Sequence, residues 1–457
     1  MHRSSPQQWV RVTEGFPFRA TAVLVLISVF AVASRHGVLE DALIYARFVA
    51  NLFAGHGLVF NPGEPVNALT SPLFTYLLIA MTWLLHGRVL LAGDVLFTLT
   101  FAGACLLAEN LAPFSGILAA VTAYFYSVIG METSTLLLVL MLVVTVYQKR
   151  KYEWLPLLVA IAVLTRFEAG LLVPIVAWKL WRERRFPRMI AFLPAIALLF
   201  VYVLLNRHFY GAWLPNSATS KLAQARSGLW GQWPWSFLQI GGWAFGHGGL
   251  FRQTWWMVPP VLVLAVLGWG KQRGSRPEQL LTPFALALMA FYILFNIPSY
   301  HWYYAPFVFL LCIYAMWGLP QTRVAHVVVV LCVVICIALN FREMRRPLAT
   351  ADYVNIAEWI NRNTPSNATI EASEIGTLGW YTHRPVIDIL GLTNPKNSDH
   401  IAHKDVTSWL SEDRPAYIVV HHPLWVWEKV TENSPDYEQV PFHSGNVYLL
   451  KRINPDR

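Results

Sequence analysis

Long apolar runs separated by short polar segments set the pattern of this chain. The stretch from Ala20 to Ala33 and the nearly uncharged stretch from Val324 to Leu339 approach the roughly 20 residues that cross a bilayer core. Further apolar stretches lie near 71–86, 89–108, 112–129, 134–147, 189–206, 255–270, 281–297, 303–318 and 323–341. The stretch from Leu155 to Trp181 is broken at Thr165 to Glu168 and predicts two short helices meeting at that break. The 71–86 stretch is short and opens on Ser71-Pro72, so it predicts a helix lying along the outer membrane face. After the last run the pattern changes. A helical segment from Ala351 to Asn363 precedes β-like runs at Thr369–Ala372, Pro385–Ile389, Tyr417–Val420 and Val447–Leu450, which together predict a small α/β unit.

Composition turns these runs into a fold class. A chain of 457 residues that is 56% hydrophobic and 13% charged cannot bury that much apolar surface in an ordinary core, so lipid must act as its solvent. The expected architecture is mainly α: a polytopic membrane protein with about 11 transmembrane or half-spanning helices, carrying a small C-terminal extracytoplasmic α/β domain. Residues 1–341 form the membrane domain, with external loops near 35–70 and 207–254, and residues 342–457 form the tail.

The net charge of +9 changes the picture only through its placement. Lys149 to Lys151, the group Arg182, Arg184, Arg185 and Arg188, and the group Lys271, Arg273 and Arg276 all sit in short segments between apolar runs. Short cytoplasmic loops accumulate Lys and Arg, so topology explains that placement better than a nucleic-acid surface does. Arg3, Arg11 and Arg19 precede the first run, no small-residue cleavage site follows it, and the run reads as a retained span with the N-terminus inside. Crossing parity then places the tail outside, in a plasma or inner membrane. Arg342, Arg345 and Arg346 directly after the last span oppose that placement. Cys105, Cys312, Cys332 and Cys336 all lie in apolar runs and behave as small hydrophobes rather than as disulfides or metal ligands.

The threading gathers a limited set of polar groups on the external side. Glu40-Asp41 opens a helical segment, Ala42 to Ala54. Neighbouring helix residues point about 100° apart, so Asp41 shares a stripe with Tyr45, Phe48 and Leu52, whereas Glu40 shares one with Leu43 and Arg47, its expected partner. Two acids stabilising a helix N-terminus are the plain alternative. Glu132 lies in the loop Gly130-Met131-Glu132-Thr133, and Arg166 with Glu168 lies in the helix break. Ionisable groups at membrane depth are costly unless paired or functional, and Arg166 and Glu168 can neutralise each other. Asn206-Arg207-His208, Pro215-Asn216 and Lys221 head the second loop, and Tyr300-His301-Trp302-Tyr303-Tyr304 joins two spans. An aromatic belt accounts for that run except for His301.

In order along the chain, Glu40-Asp41, the run Gly55 to Glu64, Thr70-Ser71-Pro72-Leu73, Gly130 to Thr133, Leu164-Thr165-Arg166-Phe167-Glu168, Leu214-Pro215-Asn216 and Trp302-Tyr303-Tyr304 resemble the GT-C superfamily of glycosyltransferases. The likeness is to the branch of terminal arabinofuranosyltransferases and their bacterial relatives. It continues into the tail at Glu374-Ile375-Gly376 and Asp388 to Leu392. Glu40-Asp41 stands where that family usually has Asp-Asp, and Phe167 where it usually has proline.

The resemblance implies inverting transfer of a sugar from a polyprenyl-phosphate donor to an extracytoplasmic glycan, lipid or protein acceptor. Such a reaction needs a base for the hydroxyl and cations for the departing phosphate. Asp41 is the expected base, with Glu40 beside it, and Glu132 orients acceptor or sugar. Arg166, Lys221, Arg207 and His301 are candidates for phosphate charge, and Glu168, Asn216, Tyr303 and Tyr304 complete the expected substrate contacts. No cofactor is specified, and a divalent metal beside the acids is compatible with the sequence. Two rival readings are a transporter, against which the lack of an internal repeat counts, and an inert sugar-lipid binder that the altered acid pair would fit.

Overall fold

The computed structural model describes residues 15–34, 39–239, 254–320, 322–344 and 351–453. The expectations resting on Arg3, Arg11, Arg345, Arg346 and the Arg342 side chain lie outside the described residues, as do residues 35–38 and 240–253 of the two loops.

Among the described residues four helices are long and apolar enough to cross a membrane: Phe16–Ser34, Val89–Leu111, Met189–Tyr210 and Arg323–Phe341. Shorter apolar helices pack between them, including Pro72–Leu84, Thr133–Gln148 and Glu278–Leu294. Ser71 caps the Pro72–Leu84 helix by accepting a hydrogen bond from the Phe74 backbone N–H at 3.3 Å, and Pro72 sits where its missing donor costs nothing. The break at Thr165 to Glu168 forms as expected. Leu155–Thr165 ends at Arg166 in extended geometry, a short 3-10 turn follows, and Leu172–Arg182 continues. The 112–129 stretch folds as a six-residue helix, Ser115–Ala120, followed by a 3-10 turn, Ala123–Val128, rather than as one continuous helix. Arg19, expected only as a topological charge, is buried and paired with Glu109 at 2.7 Å.

The tail is a five-stranded mixed sheet in the order β2-β1-β3-β5-β4, with β1 at Ile370–Ala372, β2 at Val386–Asp388, β3 at Tyr417–His421, β4 at Tyr437–Ser444 and β5 at Val447–Arg452. β1 pairs parallel with β2 and β3, and β5 pairs antiparallel with β3 and β4. The helix Ala351–Asn363 forms over its expected residues. Strand β4 escaped the sequence reading because YEQVPFHS carries a proline and a single buried position, the mark of an edge strand rather than of a buried one. The tail does not stand apart. Ile44, Phe48 and Phe60 share one apolar core with Ile356, Ile370, Leu378 and Val419, so the helix Glu40–Phe53 belongs as much to the tail as to the membrane domain.

Candidate functional site

The site is built where the tail closes on Glu40–Phe53. Burial of the Glu40–Phe53 helix is nearly complete from Ala42 to Val49, which fixes its rotation and sends its first two acids in different directions. Glu40 turns to the tail. Its carboxylate accepts from the backbone N–H groups of Gly376 and Thr377, the latter at 2.9 Å, and from the Thr377 hydroxyl. These donors open the helix Ile375–Thr382, whose positive end favours an acid there. A Cβ at Gly376 would overlap the Glu40 carbonyl, so this approach needs glycine. Burial pushes the Glu40 carboxyl up to about 7, against the pull of the Thr377 and Gly376 donors.

The expected Glu40–Arg47 pair does not form. Arg47 donates instead to the carbonyls of Phe60 (2.6 Å), Gly379 and Arg384 (2.7 Å), and to Asn61 Oδ1 (3.0 Å). Seven residues place Glu40 and Arg47 about 10 Å apart along the axis, and the tail offers both of them nearer partners.

Asp41 turns inward. It lines a small chamber with Tyr45, Thr70, Arg166, Lys221 and Tyr303, among the apolar side chains of Ile44, Leu69, Met131, Trp302 and Leu392. No hydrogen bond holds its carboxylate among the described residues, in contrast to Glu40. Burial raises its pKa above the usual carboxylate range, and Lys221 and then Arg166 oppose that rise.

Arg166 forms the floor. It donates through NH1 to Glu132 Oε1 at 2.7 Å and through Nε to Glu168 Oε1 at 2.7 Å. Its guanidinium lies 4.6 Å from the centroid of the Tyr303 ring. Tyr292 donates to the same Glu168 oxygen at 2.7 Å, and Tyr45 lies 3.3 Å from Glu132 Oε2 and 2.6 Å from the Thr70 hydroxyl. Glu132 and Glu168 are thus bound to Arg166 rather than turned to the chamber, and the group carries one net negative charge. Arg166 keeps unused N–H donors, because a guanidinium has five.

Lys221 stands on the helix Asn216–Ser227 of the second loop. Its Nζ lies 3.2 Å from Gln224 Oε1 and 3.9 Å from the centroid of the Tyr300 ring, with no carboxylate in ion-pair range among the described residues. Burial lowers its pKa, while Asp41 and Asp388 favour the charged form.

A second, larger and more open cavity shares Thr70, Arg166, Lys221 and Tyr303 with the first. Its further walls carry Phe167, Leu171, Leu222, Phe291 and Phe295, and also Glu168, Tyr292 and Ser217. The chamber that holds Asp41 thus adjoins, at Arg166 and Lys221, a cavity with a largely apolar wall.

Of the other expected residues, Tyr303 lines both cavities. Asn216, His301 and Tyr304 line neither. Asn216 donates to the carbonyls of Gly391 and Leu392 at 2.9 and 2.8 Å, tying the second loop to the tail. The His301 carbonyl accepts from Tyr124 and its ring meets Trp302 edge to face. The Tyr304 hydroxyl bonds the Phe237 carbonyl and lies 3.0 Å from Ser299. Arg207 lies over Trp213, 5.5 Å from its centroid.

Residue-by-residue reading missed Gln224, set Tyr300 down to an aromatic belt, and met Thr70 and the tail's Asp388 only inside the motifs of the resemblance. Asp388 accepts from the N–H groups of Leu390 and Thr393 at 2.8 and 3.0 Å, and burial raises it to about 6. The one available signal was the run Asp388 to Leu392, since Leu392 itself lines the chamber. Among the described residues no three His, Cys, Asp or Glu side chains converge as a metal-ligand set.

With this geometry in view, the chain can be compared with known proteins. Residues 341–451 match a family described as a domain of unknown function, DUF8728. A segment of 63 residues, 14% of this chain, is 48% identical to the terminal beta-(1->2)-arabinofuranosyltransferase of Mycobacterium tuberculosis and spans a tenth of that protein's length. ArnT from Cupriavidus metallidurans in the apo state superposes with a TM-score of 0.60 at 13% identity, over 96% of this chain and 98% of that one. The same protein bound to undecaprenyl phosphate gives 0.57 at 14% identity, over 95% and 98%. The oligosaccharyltransferase of Archaeoglobus fulgidus, in a complex with zinc and sulfate, gives 0.54 at 10% identity, over 93% of this chain and 72% of that one. The chain is a membrane protein with the GT-C fold.

Proposed function

We propose that this chain is a membrane glycosyltransferase that takes a sugar from a polyprenyl-phosphate donor and passes it, with inversion, to a hydroxyl of a cell-envelope acceptor. The observation that carries this reading is the continuity of the two cavities at Arg166 and Lys221. A prenyl chain needs an apolar channel, its phosphate needs cations at the end of that channel, and the sugar needs a polar chamber beyond. A structural relative that bears undecaprenyl phosphate supports the same donor class.

In the proposed reaction the acceptor oxygen attacks the anomeric carbon from the face opposite the phosphate. The carbon–phosphate-oxygen bond breaks, and its electron pair leaves with the lipid phosphate. Asp41 takes the acceptor's proton. Its carboxylate carries no other hydrogen bond among the described residues, and burial makes it a stronger base than a surface aspartate. Lys221, without a carboxylate partner among the described residues, is the principal counter-charge for the departing phosphate. Arg166 adds its unused donors while Glu132 and Glu168 hold it in place. Glu132 therefore positions Arg166, and Glu40 positions the tail over the site.

Proteoliposomes carrying the full chain, given radiolabelled polyprenyl-phosphate sugars in turn, test this reading. Release of lipid phosphate with transfer of label to an acceptor is the expected result. Tight donor binding with no turnover for any donor and acceptor would make the chain an inert sugar-lipid binder, and movement of an unmodified solute would make it a transporter.

A further inference from the structure

At the basic-loop end of the molecule, about 16 Å of helix beyond the Arg166 break, lies a cavity unrelated to the site above. It opens between the end of Leu172–Arg182 and the turn joining Val258–Gln272 to Glu278–Leu294. Lys179, Arg182 and Arg273 line it from these two directions, and so do Glu183, Glu278 and Trp269. Both acids already accept hydrogen bonds from other residues. Glu183 is held by Tyr147 at 2.6 Å, Tyr152 at 2.7 Å and Arg276 at 2.8 Å, and Glu278 accepts from the Gly274 N–H at 2.9 Å. Among the described residues none of the three lining cations forms an ion pair, and Arg273 only lies over the Trp269 ring at 5.5 Å from its centroid.

Positive-inside topology accounts for cations in this region, but not for the convergence on one cavity of three that form no ion pair among the described residues. The level of the cavity is marked by Trp178, Trp181 and Trp269, which are 52%, 59% and 40% exposed, as indole rings at a membrane–water interface are. Below it the walls pass into apolar helices. We propose that this cavity binds the phosphate of an anionic membrane lipid, with Lys179, Arg182 and Arg273 around the headgroup and Trp269 at the glycerol level. Basic pockets between membrane helices recognise anionic headgroups by this combination of charge and depth, and arginine forks suit phosphate oxygens.

The test uses the full chain in phosphatidylcholine nanodiscs doped with a photoactivatable phosphatidylglycerol. Crosslinking to peptides containing 172–188 and 265–282 is expected, and it should fall roughly tenfold or more in the triple variant Lys179→Gln, Arg182→Gln, Arg273→Gln. The charge-keeping variant Lys179→Arg, Arg182→Lys, Arg273→Lys should retain it, which separates loss of charge from loss of fold. Equal labelling by a phosphatidylcholine probe, or undiminished labelling of the glutamine variant, would overturn the proposal. Displacement by millimolar soluble glycerol phosphate would overturn the lipid assignment in favour of a free anion.

Discussion

At the residue scale, the two neighbouring acids of Glu40–Phe53 separate by function because one is saturated with donors and the other is not. Asp41→Asn keeps the size of the side chain and removes the basic carboxylate. Transfer should fall by about 10² to 10⁴ while donor affinity, read by direct binding of the lipid-linked sugar, stays within about twofold of wild type. Lys221→Met should act differently, since it removes the unpaired cation at the junction of the two cavities. Both donor binding and turnover should drop, and a loss confined to acceptor KM would argue against a phosphate role. Arg166→Met strands Glu132 and Glu168, so part of its effect is structural. Adding Glu168→Gln should recover folding yield but not turnover, and full recovery of turnover would reduce Arg166 to a neutralising partner.

At the element scale, the docking of the tail on Glu40–Phe53 rests on two buried networks, one around Glu40 and one around Arg47. Glu40 has a folded-state pKa of about 7 against about 4.5 in an exposed chain. A raised pKa means that the folded state holds the proton more tightly. The contribution is therefore fully present below about pH 4.5 and lost as pH rises through about 7. Thermal unfolding of the purified protein should accordingly shift downward between these limits, by on the order of 1–3 kcal/mol, and Glu40→Gln, neutral throughout, should flatten that slope. Arg47→Met removes the donor to the buried Gly379 and Arg384 carbonyls, while the Phe60 carbonyl keeps Asn51 as a donor at 2.8 Å, and a cost of about 2–4 kcal/mol is expected. It should show as protease sensitivity of the tail before the membrane helices are affected. A second close approach lies in the membrane. Gly268 and Gly318 let the helices Val258–Gln272 and Ala305–Gly318 touch backbone to backbone, since a Cβ on either would overlap carbonyls of the other. Gly268→Val should lower the unfolding midpoint for that reason.

At the scale of the whole molecule, the chamber is closed by parts of the chain more than 300 residues apart, so the orientation of the tail decides on which side of the membrane the chemistry occurs. Single cysteines at Glu64, in the first loop, and Lys404, in the tail, are both exposed positions. Both should react with an impermeant maleimide in intact cells, whereas one at exposed Arg184, in the basic loop, should react only after lysis. Labelling of Arg184→Cys in intact cells would invert the topology, and with it the compartment in which the acceptor must be sought.

Hydrophobic patterning and the placement of charge determined, from the sequence alone, the membrane class, the α/β character of the tail and the break at Thr165 to Glu168. These are local properties: a run of apolar side chains must meet lipid or core wherever it lies, and Arg166 in such a run forces an interruption. The order of short motifs also pointed to the GT-C fold. Only the tertiary structure decided which groups meet. The helix period distinguished Asp41 from Glu40, but not that Glu40 would find the N–H groups of Gly376 and Thr377, because those donors arrive from a distant helix. Spacing likewise assigned Arg47 to Glu40, whereas three tail and loop carbonyls compete for it more closely. Asn216 read as a substrate ligand and proves to bind the tail's backbone. Asp388 gave no sign of lying near Lys221. The edge strand β4 escaped the sequence reading for the same reason, since its conformation is set by what packs beside it rather than by its own period. A buried polar group is satisfied by whichever partner is nearest in three dimensions, and nearness in three dimensions is what a one-dimensional pattern does not contain.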